Sequence, residues 1–237
     1  MTMRDLSPLR SAIKEHALIR TSDQETLIQS ESTGARAPWL FDFRALILQP
    51  QWLDEIAEIF WERHATHYPF QVAGLESASI PLIAAIIMKG VQRGTPVSGF
   101  YMRKSRKREG RMRQIEGTIS DAPIILIDDV INSGRSIEKQ LTVLADAGHT
   151  AARIFTLIRF RSPESYAPFT EQGINWMSLF SVEDFGLPLV RDVTPPAALP
   201  ILWHYRAPQA SHHLVVQKSA PVLGHGKVFF GCDDGAL

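Results

Sequence analysis

The sequence predicts an α/β protein built on a mainly parallel sheet flanked by helices, and three features of the text predict it. Between residues 70 and 181, short apolar runs alternate with stretches of helical periodicity, the pattern of strands joined by helical crossovers. One run, APIILID at 122–128, stays apolar until its terminal acid, as a strand buried in a parallel sheet does. Hydrophobic residues make up 45% of the 237 residues and charged residues 21%, an ordinary globular composition that can fill one large core.

Residues 6–28 carry apolar side chains at roughly helical spacing, and residues 51–64 do so more clearly through Leu53, Ile56, Ile59 and Phe60. Between them, Gly34 and Pro38 suggest a turn that leads into an extended aromatic stretch, WLFDF. FQVAGL at 70–75 reads as a strand, 80–93 as a helix, and TPVSGFYM at 95–102 as a second strand. A basic loop, RKSRKREGRMR at 103–113, separates it from the strand at 122–128. Residues 136–147 then read as a helix, ARIFTLIRF at 152–160 as a strand, and NWMSLFS at 175–181 as a last strand. Beyond Phe185 the text becomes rich in proline, then histidine and glycine, and GKVFFGCDDGAL suggests a hairpin or edge strand. The expected organisation is N-terminal helices and a covering segment over 1–68, a core over 69–185, and a C-terminal extension over 186–237.

Twenty-five basic residues balance 25 acidic ones, so no global field favours nucleic acid or a membrane surface. The single cysteine, Cys232, excludes an internal disulfide framework and suits a reducing cytosol. The N-terminus lacks a signal-like apolar stretch, and the longest apolar run, 80–88, is too short to span a bilayer. A soluble, cytoplasmic protein without a membrane partner is expected. His64 and His67, and His212 and His213, are paired in sequence. No cysteine or acid stands in ligand spacing beside them, so surface or capping roles are expected and no protein metal site is assigned. Trp52, Trp61, Trp176 and Trp203 are expected in the core or at an interface, with Trp39 the exception.

The stretch ILIDDVINSGRS at 125–136 carries the chemistry. A strand ending at Ile127 would set Asp128 and Asp129 at the carboxyl edge of the sheet, where α/β proteins bind ligands. Asn132, Ser133, Gly134, Arg135 and Ser136 then lead into a helix, and such a turn aims backbone N–H groups and hydroxyls at an anion. The aspartates cannot serve that anion. They suit the vicinal hydroxyls of a sugar or an accompanying cation, so the whole stretch asks for a sugar phosphate.

This stretch resembles the phosphoribosyl-pyrophosphate (PRPP) motif of the type I phosphoribosyltransferases. Other segments resemble one branch of that family, the orotate phosphoribosyltransferases, and the likeness runs from about residue 26 to 184. GARAPWLFD at 34–42 is similar to the segment whose aromatics flank the base, VAGLESASIP at 72–81 to the pyrophosphate loop, and Arg103, Lys104, Lys107, Gly110 and QIEG at 114–117 to the mobile catalytic loop. The resemblance implies the family fold with a hood over the sheet's edge, and transfer of phosphoribosyl from PRPP to a pyrimidine-type base with Mg²⁺ carried by PRPP. It implies that Arg103, Lys104, Lys107, Asp128 and Asp129 are catalytic. PRPP would be held by Asp128, Asp129, 132–136, Glu76 and Ser77, and the base by Trp39, Phe41 and Arg161. It also implies a homodimer.

The basic loop holds seven cations against Glu109, so it repels itself unless an anion arrives. A nucleic-acid patch is the alternative for it, weakened because no aromatic interleaves the charges after Tyr101. Several positions depart from the family pattern. Ala78-Ser79 replaces Gly-Gly or Lys-Gly, Glu109 replaces a histidine, Phe160 precedes Arg161 where an acid is usual, and Ser32 stands where some relatives place a lysine. These departures and the extension motivate a second reading: the same fold repurposed as a PRPP or nucleotide sensor, or as an effector in a bacterial defence system such as a retron. The extension would then serve a protein partner.

Overall fold

The computed structural model describes residues 4–21, 28–29, 36–104, 114–190, 222–224 and 227–229. The chain divides into two units, Met1–Asp192 and Val193–Leu237. Within the first, helix α1 (Ser7–His16) is followed by strand β1 (Leu18–Arg20), the two-residue strands β2 (Ile28–Gln29) and β3 (Arg36–Ala37), and strand β4 (Trp39–Phe41). The helical spacing read over residues 6–28 therefore ends ten residues into the helix. At that point Leu18, Ile19 and Arg20 pair antiparallel with Phe41, Leu40 and Trp39. Cross-strand pairing with the aromatic run overrides the helical period there.

Helices α2 (Arg44–Ile47) and α3 (Pro50–His64) come next, then strand β5 (Gln71–Leu75), helix α4 (Ser79–Gln92) and strand β6 (Ser98–Met102). Strand β7 (Ile115–Gly117) returns antiparallel to β6, a strand the alternation did not announce. Strand β8 (Ile124–Ile131), helix α5 (Arg135–Asp146), strand β9 (Ala151–Arg159), helix α6 (Ala167–Glu171) and strand β10 (Asn175–Ser181) complete the unit. The main sheet has six strands in the order β10-β9-β8-β5-β6-β7, parallel except for β7. In the second unit, β11 (Val222–Gly224) and β12 (Lys227–Phe229) form an antiparallel hairpin. No helix among the described residues is long and apolar enough to cross a membrane.

Strand alternation divides the core between the two faces of the sheet. Val72, Ile125 and Ile127 pack on one face with Ile56, Ile59, Phe60 and Trp61 of α3 and Leu82, Ile83 and Ile86 of α4. Ala73, Leu126 and Ile154 pack on the other with Ile137 and Leu144 of α5 and with Tyr166 and Phe169. Gly90 lets α3 and α4 approach: a Cβ there would lie 2.7 Å from the Trp61 ring, whose Nε1 donates to the Ile86 carbonyl at 2.9 Å. His64 is buried, not on the surface. Its ring stacks on Phe60 with centroids 4.4 Å apart, and Nδ1 lies 2.9 Å from the Phe60 carbonyl oxygen. Loss of hydration holds its pKa down at about 4.

The sheet's order reverses between β5 and β8. From β5 the chain proceeds through β6 and β7 to one side, and from β8 through β9 and β10 to the other, the switch point at which open α/β sheets form their clefts. Strand β8 does not end at Ile127. It continues to Ile131, because β9 pairs with it as far as Ile131↔Arg159 whereas pairing with β5 stops at Ala73↔Leu126. Its last residues thus lie past the point where pairing with β5 ends, and a gap opens there.

Gly74 sets the approach of β5 to β8. A Cβ on it would lie 2.4 Å from the Ser79 Cβ and 2.5 Å from the Ile127 carbonyl oxygen, both too close to relieve without moving backbone. Gly74→Ala should therefore lower the free energy of unfolding by about 1–3 kcal/mol, read from urea titration with an unchanged m-value. An unchanged midpoint would mean that β5 and β8 are not held this closely.

Candidate functional site

Pleating sends successive side chains to opposite faces, so Asp128 belongs to the row of Leu126 and Asp129 to the row of Ile127. Asp128 meets α5: its Oδ2 accepts from the Ser136 hydroxyl at 3.1 Å, and its Oδ1 accepts the Asp129 N–H at 3.0 Å. Asp129 Oδ1 accepts the Val130 N–H at 2.9 Å. The two carboxyls still interact directly, and both pKa values are raised, Asp128 well above the 3.8 of a free carboxyl. Desolvation is the largest cause for each. For Asp128 repulsion from Asp129 follows, and for Asp129 the charge of Asp42 adds a smaller push.

Asp42 and Arg44 were not singled out from the sequence. They follow β4 and form a two-bonded pair, Arg44 Nε to Asp42 Oδ1 and Arg44 Nη2 to Asp42 Oδ2, each 2.8 Å. Asp42 lies near enough to Asp129 to push its pKa up, so the chain after β4 reaches the Asp129 side of the cleft. An acid two residues from an arginine is too common to have signalled this.

After β8, Asn132 and Ser133 are half-buried and Gly134 takes φ +81°, left-handed, at the start of α5. A Cβ there would also lie 2.9 Å from the Phe169 ring, so both backbone and packing demand glycine. No side chain caps α5, which leaves the first N–H groups of a twelve-residue helix for another acceptor. Arg135 is exposed at its first position. Asn132 is already engaged: its Oδ1 accepts from Arg161 Nε at 3.0 Å. The Tyr166 hydroxyl accepts the Arg161 N–H at 3.2 Å and donates to the Ile131 carbonyl at 2.9 Å. A buried tyrosine thus ties the carboxyl ends of β8 and β9 together and fixes Arg161 beside the turn.

Trp39, Phe41 and Phe160 form one cluster, with centroids 5.9 Å apart for Trp39–Phe41, 5.4 Å for Trp39–Phe160 and 5.8 Å for Phe41–Phe160. Phe185 meets Phe41 at 5.3 Å. Phe41 is buried and Trp39 half-buried, so the position where the family pattern has an acid here completes an aromatic wall.

On the far side of the cleft, the chain turns from β5 through Glu76 and Ser77, whose peptide bond is cis, into α4. Ser79 is fully buried and its hydroxyl donates to the Leu75 carbonyl at 2.6 Å. It braces the strand end and does not face the cleft. Glu76 Oε1 accepts the Lys104 N–H at 2.9 Å. Arg103 and Lys104 follow β6, and Lys107, Glu109, Gly110, Ser32, Gly34, Cys232 and the His212–His213 pair lie outside the described residues. Among the described residues no group of three His, Cys, Asp or Glu side chains is arranged to hold a metal ion.

Comparison with known proteins places this geometry. A family model described as "Phosphoribosyl transferase domain" matches residues 45–176. The chain is 25% identical over 159 residues to the orotate phosphoribosyltransferase of Bradyrhizobium sp. (strain ORS 278), covering 65% of this chain and 85% of that protein. It is 26% identical over 191 residues to that of Rhodopirellula baltica, covering 78% and 95%. A crystal structure of the Mycobacterium tuberculosis orotate phosphoribosyltransferase in complex with Fe(III) dicitrate superposes with a TM-score of 0.63 at 22% identity, over 78% of this chain and all of that one. The same enzyme with PRPP superposes with a TM-score of 0.57 at 19% identity, over 78% and 94%.

The raised carboxyls predict an inverted response to a charge-removing substitution. A carboxyl with a raised pKa binds more protons folded than unfolded, so stability is lost as pH rises from about 4 through its folded value. Asp128→Asn removes that cost and should raise the melting temperature above wild type at pH 7.5. The gap should close as pH falls towards 4, where the unfolded carboxyl also protonates. A variant less stable than wild type at every pH would show that the buried charge is compensated.

Proposed function

We propose that this chain, which belongs to the phosphoribosyl transferase domain family, transfers phosphoribosyl from PRPP to orotate or a similar pyrimidine base and releases pyrophosphate. One observation carries the reading. Asp128 and Asp129 lie in the part of β8 that no longer pairs with β5, and the left-handed turn at Gly134 soon follows, leading into the uncapped N-terminus of α5. Carboxylates for ribose hydroxyls and N–H groups for the 5′-phosphate then stand side by side. The relatives named above supply the base.

Departure of pyrophosphate leaves positive charge on the sugar, which carboxylates beside the ribose stabilise. Arg103 and Lys104 at the end of β6 supply cations for the leaving group, and Lys107 belongs to the same basic stretch. Mg²⁺ fits the donor set, the adjacent carboxyls of buried Asp128 and half-buried Asp129. That suits an ion that keeps substrate oxygens and waters as most of its ligands. Asp128 and Asp129 would hold it with PRPP, and it would neutralise charge on the phosphates. Arg161, fixed by Asn132 and Tyr166, and the wall of Trp39, Phe41 and Phe160 would orient the base.

The exposed side of α4 supports a homodimer. Ile80, Ala84, Met88 and Val91 recur at i, i+4, i+8 and i+11 and are all exposed, an apolar helix stripe of the kind that pairs with a second copy.

The test is PRPP binding and turnover in parallel. Wild type should release pyrophosphate from PRPP in an orotate-dependent manner. The double variant Asp128→Asn, Asp129→Asn should bind PRPP about a hundredfold or more weakly, the loss expected of two charge-assisted contacts. Unchanged calorimetric affinity in that variant would refute the sugar assignment. Tight PRPP binding in wild type with no base-dependent release would favour the sensor reading over the enzyme.

A further inference from the structure

Glu76 presents a difficulty for any anion bound at this edge. It is a carboxylate directly after β5, and a phosphate beside it would be repelled. The structure gives it another partner. Its backbone N–H donates to the Met102 carbonyl at 2.8 Å, extending the β5–β6 ladder by one step, and its side chain accepts the Lys104 N–H at 2.9 Å. The residue between those contacts, Arg103, is held from the other side. Its N–H donates to the Gln114 carbonyl at 2.9 Å, and Gln114 Nε2 donates to the Arg103 carbonyl at 3.3 Å. The main chain of 102–104 is thus fixed on both flanks, by Glu76 and by Gln114.

The Arg103 side chain is not satisfied to the same degree. Its Nε is buried with no hydrogen-bond partner, and its Nη1 approaches Glu116 Oε1 no closer than 3.8 Å. An unpaired buried guanidinium N–H is unfavourable unless an acceptor arrives. Continuing the β8–β5–β6 register from Leu126, Ala73 and Phe100 puts Leu75 and Met102 level with Asp128. Arg103 therefore starts two strand spacings, about 10 Å, from the aspartate pair.

We infer that Glu76 is a positioning residue: its bond to the Lys104 N–H sets where the Arg103 guanidinium meets the leaving pyrophosphate, and its carboxylate does not contact substrate. This rests on the transferase reading and adds to it the element that aims the cation. A carboxylate suits the task because a charged acceptor binds a backbone N–H more strongly than a neutral one.

The experiment is a double-mutant cycle between Glu76 and Arg103, read by calorimetric binding of magnesium pyrophosphate and by turnover. Glu76→Ala should weaken pyrophosphate binding about fivefold, the scale of one hydrogen bond. It should lower kcat by about tenfold while KM for PRPP moves less than threefold, because the aim of Arg103 matters most as pyrophosphate departs. Glu76→Gln keeps an acceptor oxygen and should recover most of both. In an Arg103→Ala background, Glu76→Ala should change either quantity less than about twofold, since the residue it positions is gone. Additive effects, or equal damage from Gln and Ala, would overturn the proposal. So would tighter pyrophosphate binding in Glu76→Ala, which would mark the carboxylate as facing the anion. The binding arm needs no chemical step, so absence of transfer in wild type would count against the proposed function and leave the role of Glu76 decided separately.

Discussion

Burying Asp128 beside Asp129 raises the free energy of the folded protein at neutral pH, because water is stripped from both carboxyls and Asp129 repels a charge on Asp128. The surrounding structure is arranged to hold that unfavourable pair in place. Strand β9 carries β8 two residues past Asp129, Ser136 engages one carboxyl, and backbone N–H groups engage both. A folded protein keeps such a pair where binding a partner returns the lost interaction, and the proposed partner is a ribose with its cation.

The topology places everything else relative to that pair. Since pairing between β5 and β8 ends at Leu126, the cleft opens on the β5 side, with Glu76 and Arg103 across it and the turn at 132–136 following β8. Tyr166 bridges Ile131 and Arg161 and so transmits the end of β8 to the end of β9. Asp42, next in the chain to the aromatic wall, lies on the side towards Asp129. Two departures from the family pattern acquire structural roles: Ser79 braces the Leu75 carbonyl, and Phe160 packs between Trp39 and Phe41.

Much of this was legible in the text of the chain. The alternation from residue 70 onward located β5, α4, β6, β8, α5, β9 and β10, because buried parallel strands and their helices leave unbroken apolar signals. The edges were less legible. The end of β8 was misplaced because Asp128 and Asp129 look like a strand terminus, while the pairing with β9 that carries the strand to Ile131 is a long-range effect. Strand β7 has three residues and no apolar pattern of its own. Residues 17–20 kept a helical period, yet pairing with β4 decided their fate. At the proposed site, DDVINSGRS stands out in the sequence because paired acids, small side chains and a glycine occur together in one short run. Asp42, and the engagement of Glu76 with Lys104, left no such mark, since a single carboxylate takes its meaning from neighbours that only the fold supplies.

The central claim, that the aspartate pair and the following turn form one sugar-phosphate site, is tested most directly by a crystal structure of the protein with PRPP and Mg²⁺. Ribose hydroxyls should lie on Asp128 and Asp129, with the 5′-phosphate on the N–H groups that open α5. Density for PRPP away from these residues, or a ribose turned so that a phosphate faces the aspartates, would contradict it.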